Sequence, residues 1–266
     1  MQLQTRALDD AHEAYEATAP YYDALTAHHD YERWLPRLVA VGRRYGLRGR
    51  RLLDVACGTG KSFLPIERAG WAVTACDASP AMLRRARSKA SGQVRLEVAD
   101  MRSLPRFGAY DLVWAIDDAV NYLLDADQLE ACTRGLARNL APDGRVMFDT
   151  NTLRMYRSFY SETEVHECGP RRLVWQGHGN GRTQSGALVA ATFRVESAPG
   201  HALGAPIAAV HRQRHFPAEE VVQAMEGAGL ECLAVLGQGL DGYAEEGLDE
   251  ERHTKAIFVG KRRQGR

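Results

Sequence analysis

From Arg51 onward the chain alternates short apolar runs with amphipathic ones. "RLLDVA", "AVTACD", "VRLEVAD", "YDLVWAI" and "GRVMFDT" read as strands, and "SFLPIERAG", "PAMLRRARSKA" and "DQLEACTRGLARNLA" read as helices among them. A strand returning to its own sheet through a helix does so by a parallel crossover, so this rhythm predicts an α/β fold with a doubly wound, mostly parallel sheet. The 266 residues, 45% of them hydrophobic, suffice for one large domain carrying an insertion.

The flanks of this core have different rhythms. Between Gln4 and Leu47, Tyr15, Tyr22, Trp34, Leu35, Leu38 and Val41 fall at helical spacing, interrupted by Pro20 and ended near Gly46. Residues 1–47 are therefore expected to form an N-terminal helical cap of two or three helices, with Trp34 in its core. Beyond Asn151, "RRLVWQGHG", "ALVAATFRVES" and "IAAVHRQRHF" are strands joined by "NGRTQSG" and "APGHALGAP" without helices, the pattern of an antiparallel meander. Residues 152–215 are expected to be an inserted β subdomain, and 48–151 with 216–262 the Rossmann-like core, closed by "PAEEVVQAMEGAGLECLAVLG" and "HTKAIFVGKRR".

Charge and cysteine usage exclude several classes of function. Lys plus Arg and Asp plus Glu are equal at 34 each, so no global field steers the chain toward nucleic acid or an anionic membrane. The basic run "RRYGLRGRR" reads as solvated charge. Five cysteines without C-x-x-C spacing fit neither a disulfide framework nor a zinc ribbon and favour a reducing cytoplasm. The N-terminal "MQLQTRALDDAHEAYEA" has acids where a signal peptide needs an apolar core, and no apolar run is long enough to span a bilayer.

In a doubly wound sheet ligands sit outside the carboxyl ends of the strands, which directs attention to the first turn, "DVACGTGKS". Gly58 and Gly60 allow a close backbone approach. A dinucleotide fingerprint would need a third glycine at position 63, which is Phe63, and Asp54 would repel a pyrophosphate. A cationic ligand suits that carboxylate better. The next strand ends in Asp77, 23 residues beyond Asp54, close to the ~20-residue distance at which an acid reaches ribose hydroxyls. A third strand ends in Asp100, placed to accept from a purine exocyclic amine, with Met82 and Met101 as apolar flanks.

"DVACGTG", "CDASPAML" and "ADMRSLP", in that order and spacing, resemble the glycine-rich loop, ribose acid and adenine acid of the class I S-adenosylmethionine-dependent methyltransferases. "YDLVWAIDDAVNYLL", "FDTNT" and the N-terminal Tyr15, Tyr22 and Asp23 are similar to the branch that methylates small molecules beneath an antiparallel cap, including N-methyltransferases of amino sugars and antibiotic precursors. The resemblance implies S-adenosylmethionine as cofactor, held by Tyr15, Tyr22, Asp54, Ala56, Gly58, Gly60, Asp77, Ala78, Met82, Asp100, Met101 and Ile116. It places Asp117, Asp118, Asn121 and Tyr122 beside the reacting methyl as catalytic candidates, with a cap histidine after the two acids in the order of candidate bases. The implied acceptor is a small molecule, attacked at nitrogen first and at oxygen or carbon as alternatives. Methylation of RNA or protein, or non-catalytic cofactor binding, are the competing classes, and "IDDAVNY" stands where base modifiers carry N/D-P-P-Y/F. Two adjacent acids there would need a positive partner once desolvated, a part the sequence reading assigns to the acceptor amine. His211 and His215, four apart on an extended run, do not converge as helical ligands do, and no metal is expected.

Overall fold

A computed structural model of the protein describes residues 11–201 and 207–263; residues 1–10 of the expected helical cap and 202–206 of the "APGHALGAP" connection lie outside the described residues. Three N-terminal helices, α1 over 11–18, α2 (Tyr22–Leu25) and α3 (Tyr31–Arg44), precede the sheet. Asp30 caps α3 by accepting from the Arg33 amide at 3.1 Å. The core then runs β1 (Arg51–Val55), α4 (Leu64–Arg68), β2 (Ala72–Asp77), α5 (Pro80–Lys89), β3 (Arg95–Val98), β4 (Tyr110–Ala115), α6 (Ala126–Arg138) and β5 (Leu140–Asn151). After α7 (Leu153–Arg157), the strands β6 (Thr163–Cys168), β7 (Arg171–Gly177), β8 (Leu188–Ser197) and β9 (Ile207–Arg214) form a separate antiparallel sheet in sequential order. Helix α8 (Ala218–Gly227) returns to the core, followed by β10 (Leu230–Gln238), β11 (Ala244–Glu246) and β12 (Lys255–Arg262).

The main sheet has the order β11-β10-β12-β5-β4-β1-β2-β3. Strands β1 to β5 are mutually parallel, and β12 runs antiparallel to both β5 and β10. Strand order reverses at β1, which pairs with β2 on one side and β4 on the other, so a crevice opens outside the carboxyl ends of β1 and β4. Leu129, Leu136, Val221 and Met225 of α6 and α8 bury one face. Leu35, Leu38, Ile66 and Leu83 of α3, α4 and α5 bury the other. Each such side chain contributes about 1.5–3 kcal/mol by leaving water, and the acids at the strand ends are thereby fixed on a rigid platform. Among the described residues no helix is long and apolar enough to cross a membrane.

The sequence reading found three of the four strands in the second sheet. It missed β6, "TEVHEC", whose residues alternate between exposed and half-buried and offer no apolar run. The strand is nevertheless set by a tight turn at Gly169, where φ is 59°, leading into β7. One face of this sheet, with Leu173, Trp175, Val189 and Phe193, packs on Tyr156 and Tyr160. Its two crossings to the core are fastened by Asn121, which accepts from the Asn151 amide at 2.8 Å and donates to the Arg214 carbonyl at 2.8 Å.

Gly177 marks the closest approach of β7 to the core connection. A Cβ there would lie 2.2 Å from the Tyr160 carbonyl oxygen, an approach only glycine permits. Gly177→Ala is expected to lower unfolding stability by about 1–3 kcal/mol, read from the urea midpoint. An unchanged midpoint would mean that the sheet docks without this contact.

Candidate active site

The turn after β1 is built from left-handed backbone: Ala56 has φ 58°, Gly58 54° and Gly60 91°. Glycine adopts this region freely, whereas Ala56 must be held there by its surroundings. The holding is visible on either side. The Cys57 amide donates to the Cys76 carbonyl, and the Gly60 amide to the Cys57 carbonyl, both at 2.9 Å. Asp77 at the end of β2 accepts from the Gly58 amide through one oxygen and from the Ser79 amide through the other, each at 2.8 Å. Burial raises the Asp77 pKa above the usual carboxylate value, and these two amides oppose the rise.

A cavity of about 110 Å³ opens over this turn. Ala56, Gly58, Asp77 and Ala78 line its floor, with Asp100, Met101 and Ile116 from the neighbouring strand ends. Both oxygens of Asp100 are clamped by the Arg102 guanidinium, which also lines the cavity. Tyr15 and Tyr22 close it from the helical side. Asp54, Gly60 and Met82 lie behind these walls and do not line the cavity. Asp54 is wholly buried, accepts from the Ser62 hydroxyl at 2.5 Å, and has one oxygen without a hydrogen-bond partner among the described residues. Burial pushes its carboxyl up to about 8. Met82 packs with Ala19, Ala81, Tyr15 and Tyr22, supporting the lid from below.

The N-terminal helices are latched to the core by polar contacts that the sequence reading did not foresee. Glu16 accepts from the Ser79 hydroxyl and the Ala81 amide, both at 2.8 Å. Asp23 accepts from Thr59 at 2.5 Å and from Lys89 at 2.8 Å. Lys61 donates to the Thr26 carbonyl at 2.7 Å and to its hydroxyl at 2.8 Å. Each latch joins one helical-cap residue to one loop that carries the floor of the cavity.

A second cavity of about 750 Å³ lies between the lid, the core and the β6–β9 sheet. Its walls mix charged and polar residues with an aromatic group that includes Trp34, Phe159, Tyr160, Trp175 and His211. Trp34, expected in the core, is only partly buried there and donates through Nε1 to Gln238 at 2.8 Å. The two cavities share Tyr15, Tyr22, Tyr31, Asp117 and Tyr122 as a common wall. Asp118 faces the second cavity alone, and Asn121 faces neither, being fully buried in the joint described above.

Lys255, the first residue of β12, organises this wall. Its ammonium lies 2.7 Å from Asp149, 3.3 Å from Asp117 and 4.0 Å from Asp118. Asp149 in turn accepts the backbone amides of Asp117 at 2.6 Å and Asp118 at 3.0 Å, holding both residues at left-handed φ values of 65° and 56°. Burial works against ionisation of Asp117, but the Lys255 ammonium, with His29 and the Tyr31 hydroxyl, outweighs it and keeps that carboxyl well below its usual range. For Asp118 burial wins over Lys255 and pushes the carboxyl up to about 6. The sequence reading left the positive partner of these acids to the acceptor; Lys255 supplies it from within the chain. The signal was a lone lysine opening the otherwise apolar strand "KAIFVG", where a charge is buried only if paired.

Comparisons with known proteins agree with this architecture. Residues 52–144 match a family model described as a methyltransferase domain. YqeM of Bacillus subtilis (strain 168), which carries a methyltransferase name, is 27% identical over 231 residues, 85% of this chain and 90% of that one. Several other curated relatives are matched over about half their own length. Among solved structures, an S-adenosylmethionine-dependent methyltransferase from Clostridium acetobutylicum superposes with a TM-score of 0.75 at 20% identity, covering 92% of this chain and 96% of that one. CalS10, an amino pentose methyltransferase from Micromonospora echinaspora solved with S-adenosylmethionine bound, gives 0.67 at 23% identity, covering 91% and 96%. At these identities the structural likeness establishes the fold.

Removing the buried cation should expose what it balances. Lys255→Met leaves Asp117, Asp118 and Asp149 without their ammonium, and is expected to cost about 3–5 kcal/mol at pH 7.5. Without the cation the folded pKa values of Asp117 and Asp118 rise, because Lys255 lowers both in the intact protein, so the penalty is present at high pH and shrinks as pH falls through those values. Urea titrations from pH 8 to pH 5 read the difference, and a gap independent of pH would assign the loss to packing instead.

Proposed function

We propose that this chain is a class I S-adenosylmethionine-dependent methyltransferase, as its methyltransferase-domain match over residues 52–144 supports, and that it transfers a methyl group to a neutral amine of a small acceptor held beneath the β6–β9 sheet. The observation that carries this reading is the common wall: the cofactor cavity and the larger cavity meet at Tyr15, Tyr22, Tyr31, Asp117 and Tyr122. The residues present fit the cofactor. Asp77 ends β2 where a ribose diol requires an acceptor, Asp100 ends the next strand, and Met101, Ile116 and Leu123 offer apolar walls for a flat base. The turn at Gly58 is held in the left-handed region at φ 54°, which glycine adopts freely, and so presents bare backbone to the cavity. When bound, S-adenosylmethionine supplies an electrophilic methyl; the acceptor's lone pair forms the new N–C bond as the S–C bond breaks and its electrons remain on sulfur.

The chain's own groups then align the acceptor and exclude water. The latched lid closes the cofactor cavity, and the aromatic group of the acceptor cavity desolvates the amine. Asp117, kept ionised, attracts positive charge at the junction. Asp118 is better placed than Asp117 to take the acceptor's proton, because it faces the acceptor cavity and its carboxyl titrates close to neutrality. This reverses the order of the two acids expected from sequence. The N,N-dimethyltransferase name of a Streptomyces fradiae relative, 30% identical over 120 residues, supports nitrogen as the attacking atom, and the five unpaired cysteines favour a reducing, cytoplasmic setting.

The test is transfer of label from [methyl-³H]S-adenosylmethionine into a metabolite extract. Label is expected to survive nuclease and protease treatment of the extract and to vanish when its amines are acetylated beforehand. Label that persists after acetylation would turn the reading to oxygen or carbon, and label removed by nuclease or protease would turn it to a macromolecule. Transfer should rise with pH through about 6 as the Asp118 carboxyl loses its proton, and Asp118→Asn should abolish that inflection while calorimetric affinity for S-adenosylhomocysteine stays unchanged.

Cofactor placement is checked separately. Asp77→Ala should weaken S-adenosylmethionine by about 2–3 kcal/mol, the scale of charge-assisted hydrogen bonds. Unchanged calorimetric binding would remove Asp77 from the cofactor site.

A further inference from the structure

Two buried ring nitrogens in the acceptor cavity have no hydrogen-bond partner among the described residues: Trp175 Nε1 on β7 and His211 Nε2 on β9. Trp175 is 7% exposed and His211 3%, and their ring centroids are 5.2 Å apart. An indole nitrogen is a donor only. The imidazole is settled by its other nitrogen, since Nδ1 lies 3.0 Å from the Tyr122 hydroxyl. A phenol is the better donor and an imidazole nitrogen the better acceptor, and burial keeps Tyr122 protonated and His211 neutral. The hydroxyl therefore donates to Nδ1, and the single ring proton resides on Nε2. Two adjacent N–H donors, withdrawn from water and without partners among the described residues, line a cavity beside the aromatic rings of Tyr15, Tyr122, Phe159 and Tyr160. Buried polar groups without partners are uncommon in folded proteins and mark places where a ligand completes the hydrogen bonding.

We propose that Trp175 Nε1 and His211 Nε2 form a recognition site for a neutral oxygen of the acceptor, a hydroxyl, ether or carbonyl on a carbon near the reacting amine. The proposal rests on the amine-acceptor reading above and adds the second group the acceptor must carry. Proximity follows from the rings: His211 lies 5.2 Å from Tyr15 and 6.0 Å from Tyr122, both in the wall shared with the cofactor cavity. One small ring of acceptor therefore spans the distance from the donors to the point of transfer. Neutrality follows from Asp117 and Asp118, whose charge disfavours a carboxylate at the same place. Acceptors lacking the oxygen leave both donors unpaired, which is how a site of this kind discriminates.

The experiment compares trans-2-aminocyclohexanol with cyclohexylamine, titrated by NMR into ¹⁵N-labelled protein saturated with S-adenosylhomocysteine. The indole resonance of Trp175 is identified by its loss in Trp175→Phe. The amino alcohol is expected to bind about 10-fold tighter, the worth of two neutral hydrogen bonds, and to shift the Trp175 indole proton downfield. In His211→Phe and Trp175→Phe the preference should fall to about threefold or less, with affinity for S-adenosylhomocysteine retained. Equal affinity of the two amines for the wild type, or a preference that survives both substitutions, overturns the oxygen site and leaves the amine reading standing. Failure of both amines to bind the loaded protein overturns the amine reading and the oxygen site together. Should a variant lose S-adenosylhomocysteine binding through misfolding, the wild-type affinity ratio and the indole shift decide.

Discussion

The Asp149 carboxylate is the constraint on which the catalytic face depends. It accepts two consecutive backbone amides, from Asp117 and Asp118, and pairs with the Lys255 ammonium. Two successive non-glycine residues at positive φ are unfavourable, of order 1–3 kcal/mol each, and the paired acceptance over-determines them. The consequence is geometric. Reversing the backbone after β4 lets Asp117 reach both cavities, while Asp118 serves the acceptor cavity alone. Lys255 offsets the charge of one buried and two half-buried carboxylates, Asp149, Asp117 and Asp118, which would otherwise repel one another.

The same economy of fastening governs the two covers of the site. The N-terminal helices are joined to the core through Glu16, Asp23 and Thr26, which reach the loops after β2 and β1 that form the cavity floor. These contacts add to the apolar packing of α3 on the sheet and of Ala19, Tyr15 and Tyr22 on Met82. The β6–β9 sheet is held differently, by the buried amide of Asn121 and by Gln213, which accepts from Asn151 and Tyr156 and donates to Asp118. Gln213 thereby ties the cap sheet directly to a carboxylate of the reaction site, so the acceptor cavity and the candidate base keep a fixed relation.

What was legible in the sequence was local. The strand–turn–helix rhythm, the glycines at 58 and 60, and acids at three strand ends are each set by neighbours within a few residues, and periodicity reports them faithfully. Contributions that depend on distant partners were not legible. Lys255 meets Asp149 across 106 residues of chain, and Asn121 meets Arg214 across 93. Strand β6 escaped notice because it is half exposed and charged, and owes its existence to β7 beside it. Asp54 shows a subtler limit: its place in the motif suggested ligand contact, yet its hydrogen bond goes to Ser62 and it sits behind the turn it supports. Trp34 likewise has helical spacing suited to a core, but its indole crosses to Gln238 and leaves one face on the acceptor cavity.

The paired acids also carry a different meaning once their cation is known. Taken alone, adjacent carboxylates beside a reacting methyl argue for a positively charged acceptor, because desolvated charge requires a counter-charge. With Lys255 in place that requirement is already met, and a protonated amine, which has no lone pair to offer, is the wrong form for attack in any case. The unequal environments of the two acids replace charge balance as the basis for amine chemistry. Asp117 stays ionised under the pull of Lys255, whereas Asp118 sits near its titration point and faces the acceptor. Neighbouring carboxylates pushed apart in pKa divide the work between holding charge and moving a proton. That division suits an acceptor that arrives with one proton too many and must lose it at the site.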